Sequence, residues 1–166
     1  AHASHFELSQ VPTERTIMDK WIISELNHLI QEVDNAYADF DSQRAGKALA
    51  QFIDDLSNWY VRRSRRRFWD GDPAALGTLH ECLTTVTQLL APMVPFITEH
   101  VWQELIKAAD ASVADSVHLC DFPVADQSKI DQVLNDQVAQ TRRIVELGRA
   151  SRAESGVKVR QPLARA

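Results

Sequence analysis

The feature that most constrains the fold is a series of apolar stripes in which residues recur at alternating steps of three and four. The first stripe runs from Ile22 to Phe40, and this spacing is typical of an amphipathic helix with one buried face. Such stripes cover residues 22–40, 45–60, 76–90, 94–105 and 130–145. Glycine (5) and proline (6) are scarce among the 166 residues, which disfavours a turn-rich β architecture. The sequence therefore predicts an all-α, antiparallel helix bundle of about five helices.

Polar residues and prolines mark where these helices begin. Thr16 with Asp19 three residues later can cap the first helix, and Asp72 followed by Pro73 can start the third. Ser128 with Asp131 can open the last one. No proline interrupts the second stripe, so a single helix is predicted over residues 42–69. Residues 117–123 are predicted to form a short extended segment.

The predicted domain organisation is one helical domain over residues 15–166. It follows an irregular lead-in, residues 1–14, which is interpreted in part as a cloning remnant. Residues 161–163 resemble the start of a further element, so the chain is predicted to be an excised domain, truncated at its C-terminal end.

Several function classes lack their sequence signatures. The two cysteines, Cys82 and Cys120, form no CxxC pair and no HxxxH spacing occurs, so no metal site is predicted. No phosphate-binding loop, nucleophile elbow or paired carboxylates are present. No catalytic residue is therefore predicted, and any reaction is assigned to a part of the protein outside this chain. No apolar run approaches the roughly 18 residues that cross a bilayer, which predicts a soluble, cytoplasmic protein without a membrane partner.

Basic residues are concentrated in two places, although the net charge is −5. Residues 59–69, called the arginine run below, contain five arginines and no acidic residue, interleaved with aromatic side chains. From Arg142 onward, seven basic residues face only two acidic ones. Guanidinium groups form bidentate bonds with phosphate and stack on bases. This segregation of charge predicts a localised binding surface for a polyanion or an acidic partner.

Two positions are predicted to be structural. Arg63 continues the apolar stripe of the second helix, where a charge needs a carboxylate such as Glu99 or an Asp on a neighbouring helix. Pro92 and Pro95 predict a kinked helix junction with Trp102 in the core.

Four segments together resemble the anticodon-binding region of class I aminoacyl-tRNA synthetases. They are NWYVRRSRRRFW (58–69), LAPMVPFITEHVW (90–102), SVHLCDFP (116–123) and VRQPL (159–163). The proline-kinked segment is general to the isoleucine, valine, leucine and methionine enzymes. The double-aromatic arginine run and the VRQPL tail are most similar to the isoleucine-specific family. The resemblance covers residues 18–163.

The resemblance implies a helical bundle that docks the anticodon stem-loop of isoleucine tRNA and positions it for a catalytic domain of the same longer protein. The ATP- and magnesium-dependent chemistry, and any zinc, belong to that other part, so the chain itself is expected to need no cofactor. Its partners are expected to be tRNA and the catalytic domain, and not DNA. The residues predicted to contact RNA are Arg62, Arg65, Arg66, Arg67, Trp69, Arg142, Arg143, Arg149, Arg152 and, more weakly, Asn27 and His28.

Three other interpretations stay open at the level of sequence. The arginine run could grip an acidic protein partner or the parent enzyme's own catalytic domain. The chain could be the equivalent domain of a valine or leucine enzyme. It could also be a helical enzyme whose site has no recognisable motif.

Overall fold

The computed structural model describes residues 14–162. Within them the chain is all-α, as predicted, and no strand is present. The lead-in prediction for residues 1–14 lies outside the described residues except at Glu14. The α-helices are α1 (Ile17–Ala38), α2 (Ser42–Asp54), α3 (Arg65–Trp69), α4 (Pro73–Leu90), α5 (Pro95–Val101) and α6 (Gln132–Glu154). Two π-helical segments, Asp55–Val61 and Trp102–Lys107, prolong α2 and α5, and 3₁₀ turns lie at Val117–Leu119 and Gln127–Lys129.

Two predicted elements differ in detail. The single helix expected over residues 42–69 is interrupted at Ser64, where the backbone bends before α3 begins. The segment expected to be extended over residues 117–123 begins as a 3₁₀ turn and becomes extended at Cys120. The turn forms because the hydroxyl of Ser116 accepts a hydrogen bond from the backbone N–H of His118.

The first helix is the centre of the larger core. It begins with the predicted capping box, in which Thr16 and Asp19 satisfy each other's backbone N–H groups. Its side chains from Trp21 to Ile23 are buried, and it packs against α2 and α4. Burial of both its apolar stripe and several polar neighbours shows that α1 is covered on more than one side.

Three helices end in the same backbone motif. In α1, α3 and α6 the third residue after the helix donates its N–H to the carbonyl five residues earlier, and the second residue after the helix adopts a left-handed conformation. This Schellman motif is normally completed by glycine. Gly71 (φ 70°) and Gly156 (φ 65°) fill that position after α3 and α6, whereas Phe40 (φ 56°) fills it after α1. Phe40 is 95% exposed, so its ring gains little packing in exchange for the strained backbone.

The π-helical segment Asp55–Val61 changes which residues of the second helix face the core. Its wider turn produces successive steps of four, so that Leu56, Tyr60 and Ser64 are buried. Trp59 is only half-buried and Arg63 is exposed. A regular helical period, by contrast, places Arg63 on the buried side.

A second, smaller core forms around the proline junction. Ala91, Trp102, Ile106 and Val117 pack together there, and the indole N–H of Trp102 donates to the carbonyl of Ala114 at 2.9 Å. The predicted burial of Trp102 is thereby confirmed. The two prolines leave four apolar side chains exposed at the surface, namely Met93, Val94, Phe96 and Ile97.

The chain divides into two compact units, one ending at Ile130 and one beginning at Asp131, where the sequence predicts a single domain. The second unit contains α6, which begins where the carboxylate of Asp131 accepts a hydrogen bond from the N–H of Leu134 at 2.9 Å. No helix among the described residues is long and apolar enough to span a membrane.

Candidate RNA interface

The arginine run is anchored by Arg67, whose guanidinium enters a buried carboxylate site. Its two terminal nitrogens each lie 2.8 Å from a different oxygen of Asp19, which has no exposed surface. Its Nε lies 2.7 Å from a carboxylate oxygen of Asp72, the N-cap of α4. The hydroxyl of Tyr60 donates to Asp19 at 2.7 Å. We call Asp19, Tyr60, Arg67 and Asp72 the arginine clamp; it joins α1, the π-helical segment, α3 and α4.

The clamp keeps Asp19 and Arg67 charged and the phenol of Tyr60 neutral. Burial alone would raise the pKa of Asp19, but hydrogen bonds from Arg67, Tyr60 and Thr16 outweigh it and lower that pKa to about 2. Hydrogen bonding to Asp19 raises the pKa of Arg67 above its usual value. Burial, with the hydrogen bond to Asp19, raises the pKa of Tyr60. The ion pair is therefore fully formed at neutral pH, and the guanidinium of Arg67 is occupied within the protein rather than presented to RNA.

Other side chains of the arginine run point to solvent. Arg62 and Arg65 are exposed, the side chain of Arg66 is 93% exposed, and Trp69 is 83% exposed. The Nε of Arg66 lies 3.6 Å from a carboxylate oxygen of Asp70 on the next turn. Such an exposed ion pair contributes little to stability because water screens it. These four side chains place positive charge and one exposed aromatic ring within residues 62–69, on both sides of the bend at Ser64.

Arg63 has a different role from the one predicted for it. It is exposed, and its guanidinium lies over the ring of Trp59, 4.4 Å from the centroid. Among residues 14–162 no ion pair joins it to Glu99. The carboxylate of Glu99 instead accepts hydrogen bonds from the hydroxyl of Ser116 (2.7 Å) and the N–H of Val117 (3.1 Å). The arginine that pairs with a buried carboxylate is thus the half-buried Arg67, and the predicted pairing of Arg63 with Glu99 is wrong.

The two weaker candidates on α1 lie in different surroundings. Asn27 is buried; its amide donates to the carbonyl of Ile23, and its oxygen accepts from the N–H of Asp126, both at 2.8 Å. It therefore fastens the chain before α6 onto α1. His28 is exposed and lines a shallow cleft between α1 and α2. Carboxylates dominate the polar lining of that cleft, which disfavours a polyanion there; they belong to Glu25, Glu32 and Asp55.

In the second unit, the predicted arginines all lie on α6. Arg143 and Arg149 are exposed, and Arg142 is half-buried. Arg152 folds back over the end of the helix and donates to the carbonyls of Lys158 (3.1 Å) and Gln161 (2.8 Å). Arg143 and Arg149 thus keep a surface position suited to phosphate, whereas Arg152 is partly engaged in closing the helix.

The carboxylates of the clamp were not predicted as partners of the arginine run. Asp19 was interpreted only as a capping residue and Asp72 only as an N-cap, and both also perform those roles. The sequence signal that could have indicated these partners is the excess of arginines in one helix, because any arginine that is buried requires a carboxylate beside it. No group of three or more potential metal ligands occurs in the described part of the chain.

The chain belongs to a family of tRNA-binding domains. The family model described as the anticodon-binding domain of tRNA ligase matches residues 19–166. Family membership confirms the all-α anticodon-binding interpretation, and it assigns the chain to a binding domain rather than a catalytic one.

Individual relatives to which the chain is similar include isoleucine–tRNA ligases. The chain is 58% identical over 160 residues to the isoleucine–tRNA ligase of Streptomyces avermitilis, covering 96% of the chain and 15% of that protein. It is 57% identical over 170 residues to that of Thermobifida fusca, covering 98% of the chain and 16% of that protein. It is 42% identical over 158 residues to the isoleucine–tRNA ligase of Thermus thermophilus, covering 92% of the chain and 15% of that protein. The resemblance to the isoleucine-specific family is thereby confirmed, and the chain spans about 15% of the length of these relatives.

Proposed function

We propose that this chain binds the anticodon stem-loop of isoleucine tRNA in the cytoplasm and positions it for ATP-dependent isoleucylation by a catalytic domain outside this chain. Binding is carried by electrostatic contacts to phosphate and by stacking on unpaired loop bases. The isoleucine specificity is supported by the isoleucine–tRNA ligases among the relatives. ATP, magnesium and any zinc are assigned to the other part of the longer protein.

The observation that carries this proposal is the exposure of Arg62, Arg65 and Arg66 around a clamped Arg67. A guanidinium that is exposed, with at most a long ion pair such as that of Arg66, keeps its donors for phosphate oxygens. The clamp fixes the helix beneath them, so their relative positions are set before RNA arrives. The exposed ring of Trp69 adds a flat surface for a base.

The test is a titration of the 166-residue chain with labelled anticodon stem-loops of isoleucine and valine tRNA at two salt concentrations. We expect tighter binding of the isoleucine RNA and a steep loss of affinity with salt. Arg66→Gln should weaken binding of both RNAs and lower the slope of log affinity against log salt by about one. Lys47→Gln, at an exposed position of α2, is the matched control for loss of one positive charge.

If the isoleucine RNA binds no better than an unrelated hairpin, and Arg66→Gln has no effect, the proposed function is wrong for this chain. Equal binding of the isoleucine and valine stem-loops, with loss of affinity in Arg66→Gln, would keep the RNA interface and place discrimination in another part of the longer protein.

The second partner we propose is the catalytic part of the same longer protein. The supporting observation is the exposed apolar surface at the proline junction, where Phe96 is 90% exposed beside Val94 and Ile97. Apolar side chains grouped in this way commonly mark a contact surface. Hydroxyl-radical footprinting should show Met93 and Phe96 reactive in the 166-residue chain and protected in the longer protein. Equal reactivity in both would exclude this surface as the contact.

A further inference from the structure

Arg63 is the member of the arginine run whose orientation is fixed by an aromatic ring. Its guanidinium lies 4.4 Å from the centroid of the Trp59 ring, one helical turn earlier, where side chains are neighbours. Within residues 14–162 it takes part in no ion pair or hydrogen bond. The side chain of Arg66 differs, because it forms a long ion pair with Asp70 and is otherwise exposed.

The π-helical segment explains why this pair stands at the surface. The wider turn directs Tyr60 into the arginine clamp and leaves Trp59 half-buried. An indole in that position presents a ring face beside Arg63, and the cation is attracted to the face of the ring. The clamp and the stacked pair therefore depend on the same distortion of the helix.

A planar cation with one face on an indole keeps its opposite face and its N–H edge for a ligand. A guanidinium stacks on nucleobases as an aromatic side chain does, and its edge can bond phosphate. A ligand that contacts both the outer face and the N–H edge of the guanidinium must carry an exposed π surface next to a negative charge. An unpaired nucleotide of an RNA loop has both, whereas the bases of a duplex are stacked on one another.

We propose that Arg63, whose guanidinium lies over the Trp59 ring, stacks flat on that ring and is a platform for one unpaired nucleobase of the bound RNA loop. The base covers the outer face of the guanidinium, and an adjacent phosphate takes its N–H edge. This inference rests on the proposed function, since it assigns one contact within the same RNA interface. It adds Arg63 and Trp59 to an interface for which the sequence predicted neither.

The test compares Arg63→Lys and Arg63→Gln with the matched pair Arg66→Lys and Arg66→Gln. Each variant is titrated with the isoleucine anticodon stem-loop and with a fully paired RNA duplex of similar charge, at two salt concentrations. Both positions are exposed, and circular dichroism checks that each of the four variants is folded.

Lysine keeps the charge of Arg63 but loses the plane that stacks. We therefore expect Arg63→Lys to weaken stem-loop binding about tenfold, as for loss of one stacking contact, with an unchanged salt slope. Its affinity for the duplex should equal that of the unaltered chain. Arg66→Lys should bind the stem-loop nearly as the unaltered chain does, because an ammonium can replace a guanidinium at a single phosphate.

Each other outcome decides against the platform. If Arg63→Gln weakens binding and Arg63→Lys does not, Arg63 contacts only phosphate. If the Arg63→Lys variant loses the same factor on the duplex, no unpaired base is involved. If both Arg63 variants bind normally while Arg66→Gln weakens binding, the proposed function stands without this contact. If Arg66→Gln is also silent and the stem-loop binds no better than the duplex, the proposed function itself is wrong.

Discussion

Replacing Asp19 with asparagine tests the arginine clamp, because it removes one buried charge and keeps the shape of the side chain. Asp19 is fully buried and receives both terminal nitrogens of Arg67. Its pKa falls from 3.8 to about 2 in the folded protein, which corresponds to about 2 kcal/mol of stability at neutral pH. Removing one partner of a buried pair costs about 3–5 kcal/mol. Because Arg67 keeps its contact with Asp72, we expect a loss of about 3 kcal/mol for Asp19→Asn.

The assay is urea unfolding followed by circular dichroism at 222 nm, with Asp34→Asn on the exposed side of the same helix as the control. At pH 7 the control should stay within about 0.5 kcal/mol of the unaltered chain, while Asp19→Asn should also melt roughly 10 °C lower. The folded pKa of Asp19 is depressed, so its contribution is complete above the unfolded value and is lost as pH falls toward 2. The difference between the unaltered chain and Asp19→Asn should therefore shrink over that range. A loss at pH 7 no larger than that of Asp34→Asn would refute the clamp.

Three further predictions concern the helix ends and the smaller core. Phe40→Gly should raise the unfolding free energy by about 0.5–1 kcal/mol in urea unfolding, because glycine accepts the left-handed backbone without strain; no gain would mean that the exposed ring is held by an unseen contact. Gly71→Ala should have the opposite sign, a loss of about 1 kcal/mol, since its φ is also positive; an unchanged value would contradict the strain argument. Glu99→Ala should speed hydrogen exchange at the amide of Val117, because that amide donates a hydrogen bond to the Glu99 carboxylate. The control Glu104→Ala, at an exposed site, should leave the exchange rate unchanged. Equal exchange rates in the two variants would show that Glu99 does not restrain this amide.

The helical fold could be predicted because burial of one face imposes the period of the helix on the sequence. The stripe of α1 and the capping box at Thr16 are local patterns, and both were found where expected. The same local logic placed Asp72 and Pro73 at the start of α4. Each of these depends on residues within one turn of each other.

The π-helical segment could not be predicted from such patterns, and the assignment of the arginines depends on it. A regular period carries the buried stripe of α2 on to Arg63, whereas the wider turn carries it through Tyr60 and Ser64 toward Arg67. Hydrogen bonds from i to i+5 are sustained by tertiary contacts, here the bond from Tyr60 to Asp19 on another helix. The counter-charge lies 48 residues away in sequence, beyond the reach of any local pattern.

Asn27 shows the same limit on the polar side. Asn27 is predicted from the sequence to be a weaker RNA contact, which requires an exposed side chain, but it is buried because α1 is covered on more than one side. Its amide is used within the helix and by the chain at Asp126. An amphipathic sequence pattern predicts one buried face, so it cannot predict that polar residues on the other faces of a helix are buried as well.

The arginine run illustrates why composition identifies a surface better than it identifies contacts. Several like charges on one short helix repel one another, and the repulsion is reduced when one of them is neutralised inside the protein. Arg67 is the member within reach of two carboxylates, so it anchors the helix while the others stay at the surface. Arg63, four residues earlier, lies over the indole of Trp59 instead and stays at the surface. The same side chain therefore performs two tasks, and the tertiary partner, whether a carboxylate or a ring, decides which.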